Sequence, residues 1–136
     1  MADTREVYQH IVSGEGYDEA FVLHNQAEPF AEYLLRQLEK RGMRRVELIE
    51  ALKTERVYGY QLLNGTRRMS REQLIRTALF LQMDMKETQR LLRLGGAPCL
   101  YARDRQDARV LFAIAKGLPY ARACGFIWQE GGGNGR

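Results

Sequence analysis

The chain has 136 residues, of which 45% are hydrophobic and 28% charged, the composition of an ordinary globular protein with one domain, or one domain with appendages. No apolar run approaches the roughly 18 residues of a membrane span, and the N-terminus has no signal-peptide core, so we expect a cytoplasmic protein without membrane contact. Glycine and proline fall at expected helix ends and alternating strand-like runs are nearly absent, which predicts an all-α fold.

The net charge of +4 is unevenly distributed along the chain. Residues 1–32 carry seven acidic residues and one arginine, whereas residues 33–136 carry 20 lysines and arginines against ten acidic residues. An acidic N-terminal segment followed by a basic remainder is expected of a protein that binds a polyanion on one face.

The sequence has few residues suited to metal binding or catalysis. Cys99 and Cys124 belong to no CxxC pair, and His10 and His24 lie far from both in the sequence. We interpret the cysteines as reduced, partly buried thiols and predict no metal site and no cofactor. There is no glycine-rich phosphate loop, nucleophile motif or paired-carboxylate arrangement, so we expect no catalytic residues and no enzyme.

Residues 1–28 are predicted to form an acidic N-terminal arm. A short helix is predicted over residues 4–12, capped by Thr4 or Asp3, and residues 17–24 suggest a weak helix or an ordered arm. This arm can be a helical cap that packs on the body, a dimerisation arm, or a cover that competes with a polyanion for the basic face. The sequence does not decide between these alternatives.

Residues 29–96 contain five predicted helices, which cover residues 29–41, 45–52, 56–63, 70–81 and 85–94. Their ends are marked by capping residues: Pro29, Gly42, Thr54 or Glu55, Asn64-Gly65, Ser70 with Gln73, and Asp84 with Glu87. The hydrophobic periodicity by itself predicts a small helical bundle.

Two short helices joined by a tight turn, as predicted over residues 44–70, have the shape of a helix-turn-helix. The run Gln61-Leu62-Leu63-Asn64-Gly65-Thr66-Arg67-Arg68 resembles the end of the recognition helix and the following loop in the phage lambda repressor-like (Cro/repressor, or XRE) DNA-binding domains. Tyr58-x-Tyr60-Gln61 and Ser70-Arg71 resemble a group of small bacterial regulators. The resemblance spans roughly residues 30–96 and implies a five-helix domain that binds double-stranded DNA.

In such a domain the second helix of the pair enters the major groove with its N-terminal residues at the base edges. Carried over by position relative to Asn64-Gly65, the base-contacting candidates are Arg56, Val57, Tyr58 and Gln61. Arginine can bond guanine through two donors, glutamine can pair with adenine, and valine can touch a thymine methyl. Arg56 is alternatively a solvated surface arginine, and Gln61 can instead reach phosphate.

The loop after this helix runs beside the sugar–phosphate backbone in the family geometry, where cations and amides position the protein without reading sequence. The phosphate-contacting candidates are Arg44, Arg45, Lys53, Asn64, Thr66, Arg67, Arg68 and Arg71. A basic run is alternatively just a solvated face.

Gly59 departs from the bulkier apolar residue that the family often has at this inward position. Glycine weakens a helix by roughly 0.5–1 kcal/mol relative to alanine, so Gly59 indicates a close approach of two helices, a close approach to DNA, or simple tolerance. Tyr58 and Tyr60 are two positions apart and cannot both face DNA. We expect at least one of them in the core.

Residues 97–130 are predicted to form a helical hairpin, with helices over residues 105–116 and from Pro119 through Trp128. Its apolar surface must pack on the body or on a second subunit, and we expect both. Residues 131–136 are expected to be a disordered tail. Because one small module binds DNA weakly, we predict a homodimer on an inverted repeat with half-sites about 34–36 Å apart.

The sequence therefore predicts a sequence-specific DNA-binding transcriptional regulator. The alternative is a helix-turn-helix scaffold used for protein–protein interaction, as an adaptor or antitoxin-like module, with a partner on the acidic arm or the C-terminal hairpin. Glu55, Val57 and the two tyrosines make the reading surface less polar than that of a typical DNA reader, which favours this alternative. Single-stranded RNA binding is a weaker third possibility, because the aromatic residues are not laid out on strands.

Overall fold

The computed structural model describes residues 4–13 and 28–129. Within these two ranges the chain forms α-helices and no strand, which confirms the all-α prediction for that part of the chain. The helices are α1 (Thr4–Ser13), α2 (Phe30–Lys40), α3 (Arg45–Leu52), α4 (Arg56–Leu63), α5 (Arg71–Phe80), α6 (Met85–Leu94), α7 (Arg105–Lys116) and α8 (Tyr120–Trp128).

Capping side chains fix the helix boundaries, as expected where the first amides of a helix lack intrahelical partners. Ser70 Oγ accepts a hydrogen bond from the Gln73 amide while Gln73 Oε1 accepts one from the Ser70 amide, so α5 begins with a capping box. Asp84 and Glu87 form the same arrangement before α6. Pro29, predicted at the first helical position, lies one residue before α2.

Helices α2 to α6 enclose the main core. α3 packs against α4 and α5, and α2 packs against α4 and α6. Each helix contributes fully buried leucines, and burying one leucine side chain contributes roughly 1.5–3 kcal/mol; these residues are Leu34, Leu38, Leu48, Leu62, Leu74, Leu91 and Leu92. Polar contacts fasten α2 to α6, because Tyr33 Oη donates to the Glu87 carbonyl at 3.1 Å and Lys40 pairs with the Glu87 carboxylate at 2.6 Å.

Helices α7 and α8 form the predicted hairpin and pack on the body. α7 lies against α6 and α8 against α5. The Tyr120 ring meets Phe80 edge-on at 5.3 Å, and Tyr120 Oη donates to the Ala51 carbonyl at 3.3 Å, which connects the start of α8 to the end of α3. The Arg76 guanidinium lies 4.1 Å from the Trp128 ring centre, a cation–π contact that joins α5 to the end of α8.

The N-terminal part is described only over α1, none of whose residues is buried. The helix or arm predicted over residues 17–24 and the disordered tail predicted over residues 131–136 lie outside the described residues. In the described part of the chain, no helix has the length and apolar character needed to cross a membrane.

Candidate nucleic-acid interface

The turn between α3 and α4 has three residues, Lys53, Thr54 and Glu55. Lys53 takes a left-handed conformation (φ 58°, ψ 38°) and its amide donates to the Glu50 carbonyl at 3.0 Å. A left-handed residue turns the chain sharply at the end of a helix. The Lys53 side chain is exposed at the C-terminal end of α3.

Glu55 is the N-cap of α4. Its Oε2 accepts a hydrogen bond from the Val57 amide at 3.0 Å and its Oε1 accepts one from the Tyr58 amide at 2.9 Å. These two amide bonds lower the pKa of the Glu55 carboxyl below its ordinary value. The side chain is therefore ionised at neutral pH and held in one orientation at the N-terminal end of α4.

Gly59 is buried where α4 crosses α3. A Cβ built on Gly59 would lie 2.5 Å from Ile49 Cγ2 and 2.8 Å from Thr54 Oγ1, closer than real Cβ atoms come. The close-approach interpretation of Gly59 is therefore the one that the packing supports. The missing side chain lets the α4 backbone rest directly on Ile49.

The expectation that Tyr58 or Tyr60 would enter the core was wrong. Their side chains are 38% and 36% exposed, and the buried face of α4 consists of Gly59, Leu62 and Leu63. Because α4 meets α3 through its backbone at Gly59, the residue on each side of that contact emerges at the surface.

Arg67 folds back onto the exposed face of α4. Its guanidinium carbon lies 5.5 Å from the Tyr58 ring centre, and its Nε donates to Gln61 Oε1 at 2.8 Å. Val57, on the same helix, is 63% exposed. The sequence assigned Arg67 to the phosphate-facing loop, and nothing in the sequence showed that it would return to α4.

The loop after α4 has a fixed backbone and exposed side chains. Asn64 Oδ1 accepts a hydrogen bond from the Thr66 amide at 2.9 Å, and Gly65 takes a positive φ of 85°. The Arg68 guanidinium lies against Gly96, where an added Cβ would be 3.2 Å from Nη1. Arg68 thus lies near the C-terminal end of α6, where the helix dipole favours a cation.

Arg71 is engaged inside the protein. Its two terminal nitrogens donate to both oxygens of Asp107 at 2.9 and 2.8 Å, and it also donates to the carbonyls of Pro98 and Cys99. Asp107 is buried and accepts a further bond from the Tyr101 amide. Since its donors serve the hairpin, we withdraw Arg71 from the phosphate-contacting candidates.

Several exposed cations lie on α4 and on the segments that flank it. The described residues contain no ion pair for the exposed side chains Arg45, Lys53, Arg56, Arg67 and Arg68. Arg44 differs, because its Nε lies 3.4 Å from Glu47 Oε1 on the same helix turn. On the neighbouring elements, Arg36, Lys40, Arg41 and Arg90 pair with glutamates. Lys86 and Arg93 of α6 have no ion pair within the described part of the chain.

No family model, curated protein or solved structure matches this chain. Among the described residues, no three His, Cys, Asp or Glu side chains are grouped so as to hold a metal ion.

Proposed function

We propose that this protein is a sequence-specific regulator that binds double-stranded DNA through a lambda repressor-like helix-turn-helix formed by α3 and α4. The observation that carries the proposal is the exposed face of α4, which presents Arg56, Val57, Tyr58 and Gln61, with Arg67 of the following loop packed against the last two. An exposed helix with donor side chains at its N-terminal end has the shape and chemistry that the major groove admits.

The reading residues have distinct roles in this proposal. Arg56 offers a guanidinium fork to the two acceptors of guanine, and Val57 offers an apolar contact to a thymine methyl. Gln61 Oε1 already accepts a hydrogen bond from Arg67 Nε, which leaves the amide nitrogen of Gln61 as the donor for a ligand. We therefore assign Gln61 to an acceptor, such as guanine or a phosphate oxygen, in place of the adenine pairing expected from the sequence.

Six side chains flank this face and are proposed to contact phosphates: Arg44, Arg45, Lys53, Asn64, Thr66 and Arg68. Arg44 and Arg45 lie at one end of α3 and Lys53 at the other, while the remaining three lie on the loop after α4. The donors thus occupy the start of α3, the turn between α3 and α4, and the loop after α4. Such contacts fix register and orientation on the duplex.

We further propose that the protein works as a homodimer in the cytoplasm and binds an inverted repeat. One α4 presents few base-reading side chains, and two-fold pairing on half-sites about 34–36 Å apart doubles that number. The hairpin offers a surface for the dimer, because Phe112 and Phe126 are exposed with their rings 5.5 Å apart.

The test is selection of bound duplexes from a random pool by the full chain, followed by binding measurements on the selected site. We expect an inverted repeat to emerge. Arg56→Ala should cost roughly 1–3 kcal/mol of binding free energy and relax the base preference at one position of the site. Lys53→Ala should weaken binding to all sequences alike. A flat sequence profile would contradict the proposal.

A protein–protein module is the second candidate, favoured by a groove of about 540 Å³ beside α4. Leu35, Met43, Arg44, Arg45, Val46 and Tyr60 line it. An apolar floor with two arginines at its edge suits an apolar segment with acidic flanks. Recovery of one stoichiometric protein partner, together with no affinity for duplex DNA at low salt, would favour this candidate over the first.

A further inference from the structure

Glu55 is an acidic side chain at the tip of a reading helix whose other exposed N-terminal residues are Arg56 and Val57. Glu55 is exposed, and each of its carboxylate oxygens accepts a hydrogen bond from one backbone amide of α4. A carboxylate oxygen can accept more than one hydrogen bond, so each oxygen keeps capacity for a donor that approaches from solvent.

This arrangement changes what the N-terminal end of α4 can bind. The amides of Val57 and Tyr58, which would otherwise attract an anion, already hold the Glu55 carboxylate. A phosphate brought to this end would meet a negative charge, so the end of α4 cannot be a phosphate site. The ligand that suits it is a neutral or positive group with N–H donors.

The major groove presents only two such groups. The exocyclic amines of cytosine and adenine donate hydrogen bonds, whereas guanine and thymine present acceptors that would repel a carboxylate. Adenine carries the acceptor N7 beside its amine, while cytosine has no second acceptor of its own on that edge. A carboxylate that is held in place and only accepts is therefore better matched to cytosine than to adenine.

We propose that Glu55 is a specificity-determining residue that accepts a hydrogen bond from the exocyclic amine of a cytosine and rejects guanine and thymine at that position. This inference rests on the proposed function, since it requires α4 to lie in the major groove. Glu55 would then be a negatively charged, accepting side chain next to Arg56, which is positively charged and donates to the acceptors of guanine.

The experiment compares base preferences of the full-length wild type with Glu55→Ser and Glu55→Gln in selections from a random duplex pool. Serine is a good N-cap, so Glu55→Ser keeps α4 capped and removes only the carboxylate. Thermal unfolding of each variant checks that the fold is retained. We expect the wild type to select cytosine at one position of each half-site.

Glu55→Ser should lose that one preference, with cytosine-over-guanine discrimination falling about tenfold, while the preferences at other positions persist. Glu55→Gln, which offers a donor as well as an acceptor, should admit adenine at the same position. Each of these changes supports the inference.

Two results would overturn it. One is that Glu55→Ser strengthens binding to all sequences equally and leaves the base preference at every position unchanged. In that case the carboxylate acts only by repelling the DNA phosphates, so the inference fails while the proposed function stands. If the wild type binds no duplex at low salt, both fail together.

Discussion

The guanidinium carbon of Arg67 lies 5.5 Å from the centre of the Tyr58 ring, although nine positions separate the two residues in the chain. The hydrogen bond from Arg67 Nε to Gln61 closes the same cluster. A stacked and hydrogen-bonded arginine has lost part of its side-chain freedom before any ligand arrives, so less entropy is lost on binding. In the proposed function, this preorganised Arg67 contributes to the face of α4 that contacts DNA.

Substitutions of Arg67 should separate charge from geometry. Arg67→Lys keeps the positive charge but loses the planar fork, the bond to Gln61 and the arginine stack on Tyr58. We expect Arg67→Lys to weaken binding to the selected duplex by about 1–3 kcal/mol, close to the effect of Arg67→Ala. Fluorescence anisotropy with the labelled duplex measures this change in affinity.

The matched control is Arg68→Lys, because Arg68 lies on the same loop but outside the Tyr58 cluster. Arg68→Lys should leave the affinity for the selected duplex nearly unchanged. If Arg67→Lys binds as well as the wild type, then Arg67 serves only as a cation.

Gly59 sets the distance between α3 and α4. Gly59→Ala gains helix propensity but places a Cβ against the buried Ile49 side chain, and overpacking a core costs about 1–3 kcal/mol. We expect a net loss in the free energy of unfolding of about 1–2 kcal/mol, measured by urea denaturation.

A second background makes this test specific. Ile49→Leu moves the branch away from Cβ and removes the methyl that lies closest to the added atom. Gly59→Ala should therefore cost less in that background than in the wild type. An equal cost in both backgrounds would show that the contact with Ile49 is not its cause.

The Arg71–Asp107 ion pair fastens the hairpin to α5. Asp107→Asn leaves the Arg71 guanidinium without its carboxylate, and breaking a buried pair costs about 3–5 kcal/mol. Because Arg71 is partly exposed, we expect Asp107→Asn to lower the free energy of unfolding by about 2–3 kcal/mol. Asp104→Ala, which removes the cap of α7, is the control and should cost about 1 kcal/mol.

The same pair predicts a pH dependence. Its hydrogen bonds from Arg71 lower the pKa of Asp107 in the folded state, against the desolvation that raises it. A group with a lowered folded-state pKa stabilises the protein above its unfolded pKa, near 3.9, and loses that contribution as the pH falls through the folded value.

Between pH 7 and pH 3 the melting temperature of Asp107→Asn should consequently fall less than that of the wild type. The glutamates with lowered pKa, Glu28, Glu55 and Glu87, remain in both proteins and give both some acid sensitivity. Parallel curves for the two proteins would contradict the assignment to Asp107.

The proposed dimer predicts an effect at the hairpin. Phe112 is 47% exposed and stands beside Phe126 on the neighbouring helix. If this pair forms the interface, Phe112→Ser should weaken self-association about tenfold or more, since burial of one such ring contributes roughly 1.5–3 kcal/mol.

Sedimentation equilibrium measures this change, and affinity for a single half-site should stay the same. Tyr101→Ser, an exposed aromatic change elsewhere in the same region, is the control. Unchanged self-association of Phe112→Ser would place the dimer interface elsewhere.

Local features of the sequence predicted local structure well. The bounds of α3, α4, α6 and α7 follow from short-range signals, because a cap such as Asp84 lies three residues from the amide that it accepts. The all-α class follows from the same signals. These interactions are decided within one helical turn and leave a pattern in the sequence.

Contacts between distant segments were not predictable in the same way. Arg71 and Asp107 are 36 positions apart, and no spacing rule links an arginine in one helix to an aspartate in a hairpin. The tyrosines of α4 were misplaced because the packing is decided by Gly59, whose absent side chain brings α3 close enough to push both flanking rings outward.

The proposed DNA-binding function predicts a strong salt dependence of duplex binding by the full chain. Four proposed phosphate-contacting cations per protomer, Arg44, Arg45, Lys53 and Arg68, would displace counterions in a dimer. With four contacts from each protomer, we predict a plot of log Kd against log salt with a slope of about 7, and nanomolar affinity for the selected site near 100 mM salt. A salt-independent signal, or no binding at 50 mM salt, would contradict the account.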